Sequence, residues 1–464
     1  MENVSIEKRK PGGMSELLAL AWPLILSNSF WTIQFFLDAI FLTWYDTNAA
    51  GAVMMAGILF WTFFILLQTT TQFSTTFVAQ YVGAGRSERV GPIIWQALYF
   101  AIGTGLAFLV FYPLAPWIMS QIGHDANIQG MEVTYFQCMS FCALPMLIVA
   151  ACNSFFAGRG LSRIVLLVDA SGTVVNVVLG YALIFGAFGL PRWGVAGAGW
   201  ALVMGASVAA CLSFLLMTRR QDRLIFATLS GWRFDRALFK RLMRFGVPSG
   251  LQWALDMVAF TLFVTIIGWF GATELTSSSI AHRINMLAFL PMLGIGQAVG
   301  ILVGQRLGQN RPDLAELSAK SGLRIAASYM SLIALMYIVL PSLFIHPFRN
   351  DANLENWLNV SHMVKILLWF IAIYSLFNSF EVIFTFALRG AGDTLFVTWV
   401  SLSLAWPMMV VPTWLAWKNG WNFYFTWGFA SIYIIVMAFV FRIRFHGGKW
   451  KKMRVIENLD ARVT

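Results

Sequence analysis

The chain has 464 residues, of which 59% are hydrophobic and only 11% charged, less than half the roughly 25% charged content of a soluble domain. A water-soluble globule of that length cannot bury 41 Phe and 20 Trp. The apolar stretches run unbroken for about 20 residues or more, the length of a crossing helix. They do not alternate as a membrane β-barrel would, which leaves an all-α polytopic membrane protein.

In chain order, twelve segments fit crossing helices, near 17–44, 51–79, 93–121, 131–157, 164–188, 194–217, 245–270, 277–304, 321–346, 362–388, 395–417 and 421–442. Lys8, Arg9 and Lys10 precede an apolar stretch too long for a signal peptide, and no small-residue cleavage site follows. Cys138, Cys142, Cys152 and Cys211 all lie inside apolar runs without metal-ligand spacing, so buried thiols are expected. The net charge of +11 does not point to nucleic acid. Of the 32 Lys and Arg, 27 fall in the tails and alternate turns on one side; Arg192, Arg349 and Lys418 lie on the other, and Arg283 and Lys365 within or near spans. By the positive-inside rule both termini are expected in the cytoplasm.

The sequence repeats itself. Val78-Ala-Gln80-Tyr-Val-Gly83-Ala-Gly-Arg86-Ser-Glu88 follows span two. Val303-Gly-Gln305-Arg-Leu-Gly308-Gln-Asn-Arg311-Pro-Asp313 follows span eight, 225 residues on. Pro23 and Pro248 share that offset, and Arg159 after span four matches Arg389 after span ten at 230. Two six-helix lobes are expected, residues 1–220 and 245–464, joined by a basic cytoplasmic loop at 221–244. Parallel repeats imply a pseudo-two-fold axis along the membrane normal, the plan of transporters that rock around a central site.

The run Leu290-Pro291 to Leu307-Gly308, the turns Val82-Gly83-Ala84-Gly85 and Leu388-Arg389-Gly390-Ala391-Gly392-Asp393-Thr394, and Ala21-Trp22-Pro23 with Leu37-Asp38-Ala39 together resemble the multidrug and toxic compound extrusion (MATE) family. The resemblance spans the chain. It implies a secondary antiporter that exports cationic or amphipathic drugs and toxic compounds in exchange for H⁺ or Na⁺. It implies no cofactor beyond the coupling ion, no nucleic-acid partner, a single functional chain and a bacterial inner membrane.

An ionisable group inside a span costs at least about 2.5 kcal/mol and is a functional candidate by default. Four acids qualify: Asp38, Asp169, Asp256 and Glu381. Gln34 lies one turn before Asp38 on the same face, and Gln252 one turn before Asp256. Asp38 matches the family's cation-binding aspartate of helix one, Asn176 a polar residue of the same pocket, and Gly180 a further position that is polar elsewhere. Asp256 matches an acid of a carboxy-terminal Na⁺ site. The second acid of that site is matched by the neutral Asn378, with Glu381 three residues on to supply the charge, so a Na⁺ site is expected at Asp256, Asn378 and Glu381. Asp169, near a span end, is expected to reach the interface. Arg283 and Asn285 open span eight as secondary candidates. Trp31, Phe35, Trp253 and Phe260 are the aromatic candidates for holding planar cations.

Other functions fit less well. A lipid-linked oligosaccharide flippase of the same superfamily is the alternative, but it calls for several basic groups in the cavity, where only Arg283 and Lys365 qualify. An embedded enzyme needs a paired His or Cys, and His282 has no evident partner, so no enzymatic activity is expected. ATP-driven transport lacks a Walker A pattern.

Overall fold

A computed structural model describes residues 10–349 and 354–457. Among them are twelve helices long and apolar enough to cross a membrane: α1 Met14–Tyr45, α2 Asn48–Gly83, α3 Ser87–Ser120, α4 Ala126–Gly158, α5 Ser162–Phe185, α6 Val195–Met217, α7 Arg236–Phe270, α8 Ala272–Gly308, α9 Pro312–Val339, α10 Trp357–Ala391, α11 Thr394–Lys418 and α12 Tyr424–His446. Every expected span is present. The main departures are early starts: α7 begins at Arg236 instead of near 245, and α9 at Pro312 instead of near 321. Apolar content marks where a helix meets lipid, whereas Arg, Lys and Leu are good helix formers that carry it on into the interfacial layer. Bulky side chains such as Phe36, Leu287 and Trp399 are exposed on the span surfaces, as lipid-facing residues should be. Cys138, Cys142 and Cys152 are buried free thiols, but Cys211 is exposed on α6.

The repeat is written into the backbone. After α2 the Arg86 amide donates to the Tyr81 carbonyl at 2.9 Å, and after α8 Arg311 donates to Arg306 at 2.9 Å. The left-handed residue that permits this helix stop is Gly85 in the first copy and Asn310 in the second, with φ +71° and +56°. After α4 and α10 the equivalent bonds run from Leu161 to Phe156 and from Asp393 to Leu388, each 2.9 Å, across Gly160 and Gly392 at φ +83° and +97°. That pairing corrects the offset at the second turn from 230 to 232. Arg389 therefore aligns with Ala157, and Arg159 with Ala391. The close packing agrees: a Cβ on Gly158 would lie 2.6 Å from Val78 of α2, and one on Gly390 would lie 2.4 Å from the Gly300 carbonyl of α8.

Two compact units emerge. One holds the chain up to Ile25, Leu251–Leu307 and Arg311–Arg454; the other holds Leu26–Gly250, Gly308–Asn310 and the chain from Val455. They are called here the carboxy-terminal and amino-terminal units. The divides within α1 and α7 fall two residues after a repeated proline, Pro23 in α1 and Pro248 in α7. Proline removes a backbone donor, so each of these helices lacks a backbone bond close to where it changes unit, though both run on through the proline. The core of the amino-terminal unit includes Phe60, Phe64, Phe108, Phe136 and Leu147. That of the carboxy-terminal unit includes Phe263, Ile267, Tyr337, Leu367 and Trp427. Buried Glu16 anchors the first turn of α1 in the latter: it accepts from the Gly12 amide at 2.6 Å and pairs with Arg306 of α8. Ser321 of α9 donates to the Gly12 carbonyl at 2.7 Å.

Candidate functional site

In the amino-terminal unit, α1 meets α5 along a ladder of polar contacts. Ser27 donates to Asp169, whose other oxygen accepts from Asn153 of α4 at 2.9 Å. Thr173 donates to the Gln34 side-chain oxygen at 3.3 Å. Above that rung Asp38 faces Gly180, where a Cβ would lie 3.7 Å from Asp38 Oδ1. The spacing of the rungs follows helical periodicity: residues three, four or seven apart share a face. Asp38, Gln34 and Asn176 are each more than nine-tenths buried. Asp38 Oδ1 and both polar atoms of Asn176 have no hydrogen-bond partner among the described residues. Asp169 is half-buried, and Ser27 and Asn153 tie its carboxylate into the helix packing. Beside these, Trp31, Phe35 and Trp61 form an aromatic cluster with centroids 6.0–6.3 Å apart.

In the carboxy-terminal unit a cavity of about 200 Å³ is lined by Gln252, Trp253, Asp256, Glu381, Thr385 and Arg389, with Phe289, Phe386 and Tyr433 among its apolar walls. Gln252 is the centre of its polar network. Its Nε2 donates to Asp256 Oδ2 at 3.3 Å and to Ser401 Oγ at 2.9 Å, while its Oε1 accepts from Arg389 Nη2 at 2.7 Å. Thr385 donates to Glu381 at 3.2 Å. The Gln252–Ser401 contact lies at the same place in its repeat as Ser27–Asp169, given the offsets of 225 and 232.

Of the residues singled out in the sequence, the cavity gathers Asp256, Gln252, Glu381 and Trp253. Asn378 is buried on α10 but does not line the cavity. Arg283 is exposed on α8 and Asn285 half-buried, away from the cavity lining. Phe260 stacks on His282 with centroids 4.5 Å apart. No group of three His, Cys, Asp or Glu able to hold a metal occurs among the described residues, so any cation here meets two carboxylates at most.

Arg389 is the residue the sequence reading missed: it was counted as a cytoplasmic topology charge. A helical side chain leans toward the helix amino terminus, so from the last turn of α10 Arg389 reaches back along the face carrying Thr385 and Glu381. Polar residues at 381, 385 and 389, four apart, were the available signal. Arg159, its supposed counterpart, pairs instead with Asp222 at 2.9 Å and stacks on Phe226 at 3.9 Å. Burial holds the Arg159 guanidinium below its usual range, and Asp222 opposes that shift.

The MatE family profile matches residues 23–182 and again 248–415, two stretches that begin at the repeated prolines. The chain is 23% identical over 465 residues to the probable multidrug resistance protein NorM of Thermotoga maritima, covering 98% of this chain and 97% of the other. It is 26% identical over 399 residues to the multidrug resistance protein PmpM of Pseudomonas aeruginosa, covering 85% and 82%. Among solved structures, a MOP superfamily transporter from Pyrococcus furiosus superposes with a TM-score of 0.87 at 18% identity, covering 98% and 99%. A MATE protein in a bent conformation does so with 0.85 at 17% identity, covering 96% and 98%. At such identities the structures speak for the fold alone; it is the profile, matching most of the chain in both repeats, that establishes membership: the chain belongs to the MatE family, the multidrug and toxic compound extrusion transporters.

Proposed function

We propose that this protein is an ion-coupled antiporter that exports cationic or amphipathic drugs and toxic compounds in exchange for H⁺ or Na⁺. It acts as a single chain in a bacterial inner membrane, with both termini in the cytoplasm. Asp38, with Gln34 and Asn176, forms one cation-binding position; Asp256 and Glu381, with Gln252, form another. The carrying observation is the cavity where Asp256 and Glu381 stand together among Trp253, Phe289, Phe386 and Tyr433. Carboxylates withdrawn from water favour neutralisation, and a proton, Na⁺ or an organic cation each supplies it. Coupling then requires only that occupant and access state favour each other differently. Relatives named as multidrug resistance proteins support the export of drugs.

The test is efflux of ethidium from proteoliposomes under an imposed pH or Na⁺ gradient. Asp38→Asn and Asp256→Asn are each expected to reduce driven efflux at least tenfold. If neither gradient moves ethidium, the antiporter reading fails and lipid-linked oligosaccharide flipping becomes the better account.

A further inference from the structure

Arg389 is more than nine-tenths buried, and its Nε has no hydrogen-bond partner among the described residues. Its only side-chain hydrogen bond there is to the Gln252 amide oxygen, at 2.7 Å. Trp253 and Phe386 flank the guanidinium with centroids 5.6 and 6.0 Å away. Asp256 and Glu381 line the same cavity. A buried cation so sparsely hydrogen-bonded is costly. The turn does not require it, because the aligned position in the last turn of α4 is Ala157 and the backbone there closes with the same bond. The helix stop itself therefore does not call for Arg389, whose side chain lines the cavity.

Two carboxylates with one guanidinium leave one net negative charge. The cavity, at about 200 Å³, is also smaller than the roughly 300–1,000 Å³ sites that bury drug-sized ligands. We propose that Arg389 is a tethered counter-cation: it offsets one carboxylate of the Asp256–Glu381 pair, so that the cavity takes up a single monovalent cation and can release it. Without Arg389 two charges would face an incoming cation in a poorly solvated space, and the grip would become too tight for turnover. Conduction and transport both need sites that bind weakly enough to let go. Gln252 makes the exchange possible, since its amide already joins the guanidinium to Asp256.

This proposal rests on the cavity being a cation site, and the experiment separates the two. Purified full-length protein is titrated with Ca²⁺, followed by tryptophan fluorescence, because a divalent ion with oxygen ligands reports a doubly negative cavity. The starting protein and Arg389→Lys are expected to show no saturable Ca²⁺ response. Arg389→Gln should gain one, and should lose at least tenfold in ethidium turnover with a lowered half-saturating concentration. The double variant Arg389→Gln/Glu381→Gln restores the single negative charge; it should lose the Ca²⁺ response. A folded Arg389→Gln that gains no Ca²⁺ response, or a double variant that keeps one, overturns the proposal and leaves Arg389 a structural partner of Gln252. Should Arg389→Gln fail to fold, Glu381→Gln alone decides: it makes the cavity neutral and is expected to weaken cation-driven efflux at least tenfold, and unchanged efflux overturns the proposal. Unchanged efflux in Asp256→Asn would instead remove the cavity reading itself.

Discussion

The α-carbon of Gly180 backs directly onto the carboxylate of Asp38: a side-chain carbon there would sit 3.7 Å from Asp38 Oδ1 and 3.8 Å from Ala201. Both are ordinary van der Waals distances, so a small side chain fits. Gly180→Asp would set a second carboxylate against the first, and like charges in a poorly solvated site call for a bound cation. The apparent Na⁺ affinity of Gly180→Asp is expected to rise about tenfold, or roughly 1.4 kcal/mol, read by tryptophan fluorescence. Gly180→Ala should keep expression and transport within about twofold.

Asp38 and Asp169 of the amino-terminal unit are expected to differ. Asp169 already has two side-chain donors, Ser27 and Asn153, and an amide can keep one or both contacts. Asp169→Asn should leave ethidium efflux within about twofold of the starting protein, while Asp169→Leu, which strands both partners, should cost about 2 kcal/mol in stability. Efflux in Asp169→Asn as low as in Asp38→Asn would show that Asp169 belongs to the transport path.

At the end of α4, Arg159 and Asp222 are mostly buried, about one-sixth of each side chain being exposed. Asp222→Asn removes the charge opposite a cation that still stacks on Phe226. A destabilisation of about 1–2 kcal/mol is expected, below the 3–5 kcal/mol for breaking a fully buried pair. A double-mutant cycle on thermal unfolding of the detergent-solubilised protein measures it; a coupling near zero would mean that stacking alone holds Arg159.

The segment after Arg454 is held by the amino-terminal unit. The Val455 amide donates to Gln80 Oε1 at 2.8 Å, and Glu457 accepts from the Tyr81 hydroxyl at 3.0 Å with Arg86 and Arg241 each 3.6 Å away. Gln80→Ala deletes a buried acceptor, worth about 1–3 kcal/mol. Trypsin cleavage after Arg454 should accelerate about tenfold, followed by mass spectrometry of the released end. Unchanged cleavage would assign the docking to Glu457.

Legibility in the sequence followed contrast. Asp38, Gln34, Asp256, Gln252 and Glu381 stand out because a polar residue inside an apolar run is expensive, and four-residue spacing set Gln34 with Asp38 and Gln252 with Asp256 on one face. Thr173 and Ser401 did not, since Ser and Thr are buried cheaply by bonding their own helix carbonyls. Arg389 and Asp169 lie near span ends, where a charge is equally at home in the headgroup layer; only the packing of neighbouring helices turns them inward. The repeat was legible as residues, but its second offset was not. Arg159 and Arg389 matched by letter, while the backbone bonds of the two turns set the alignment two residues away.

The anchoring of α1 by Glu16 also bears on how the chain is made. Glu16 is synthesised 290 residues before its partner Arg306, and Gly12 309 residues before Ser321. Until α8 is made, the start of α1 has only the local Gly12 contact for Glu16 and no Arg306 to pair with. Closing so long a loop costs little more entropy than closing one half its length, so the delay is one of order more than of energy. A nascent chain halted before α8 would keep Glu16 without Arg306, and the carboxy-terminal unit cannot be completed from its own half of the message alone.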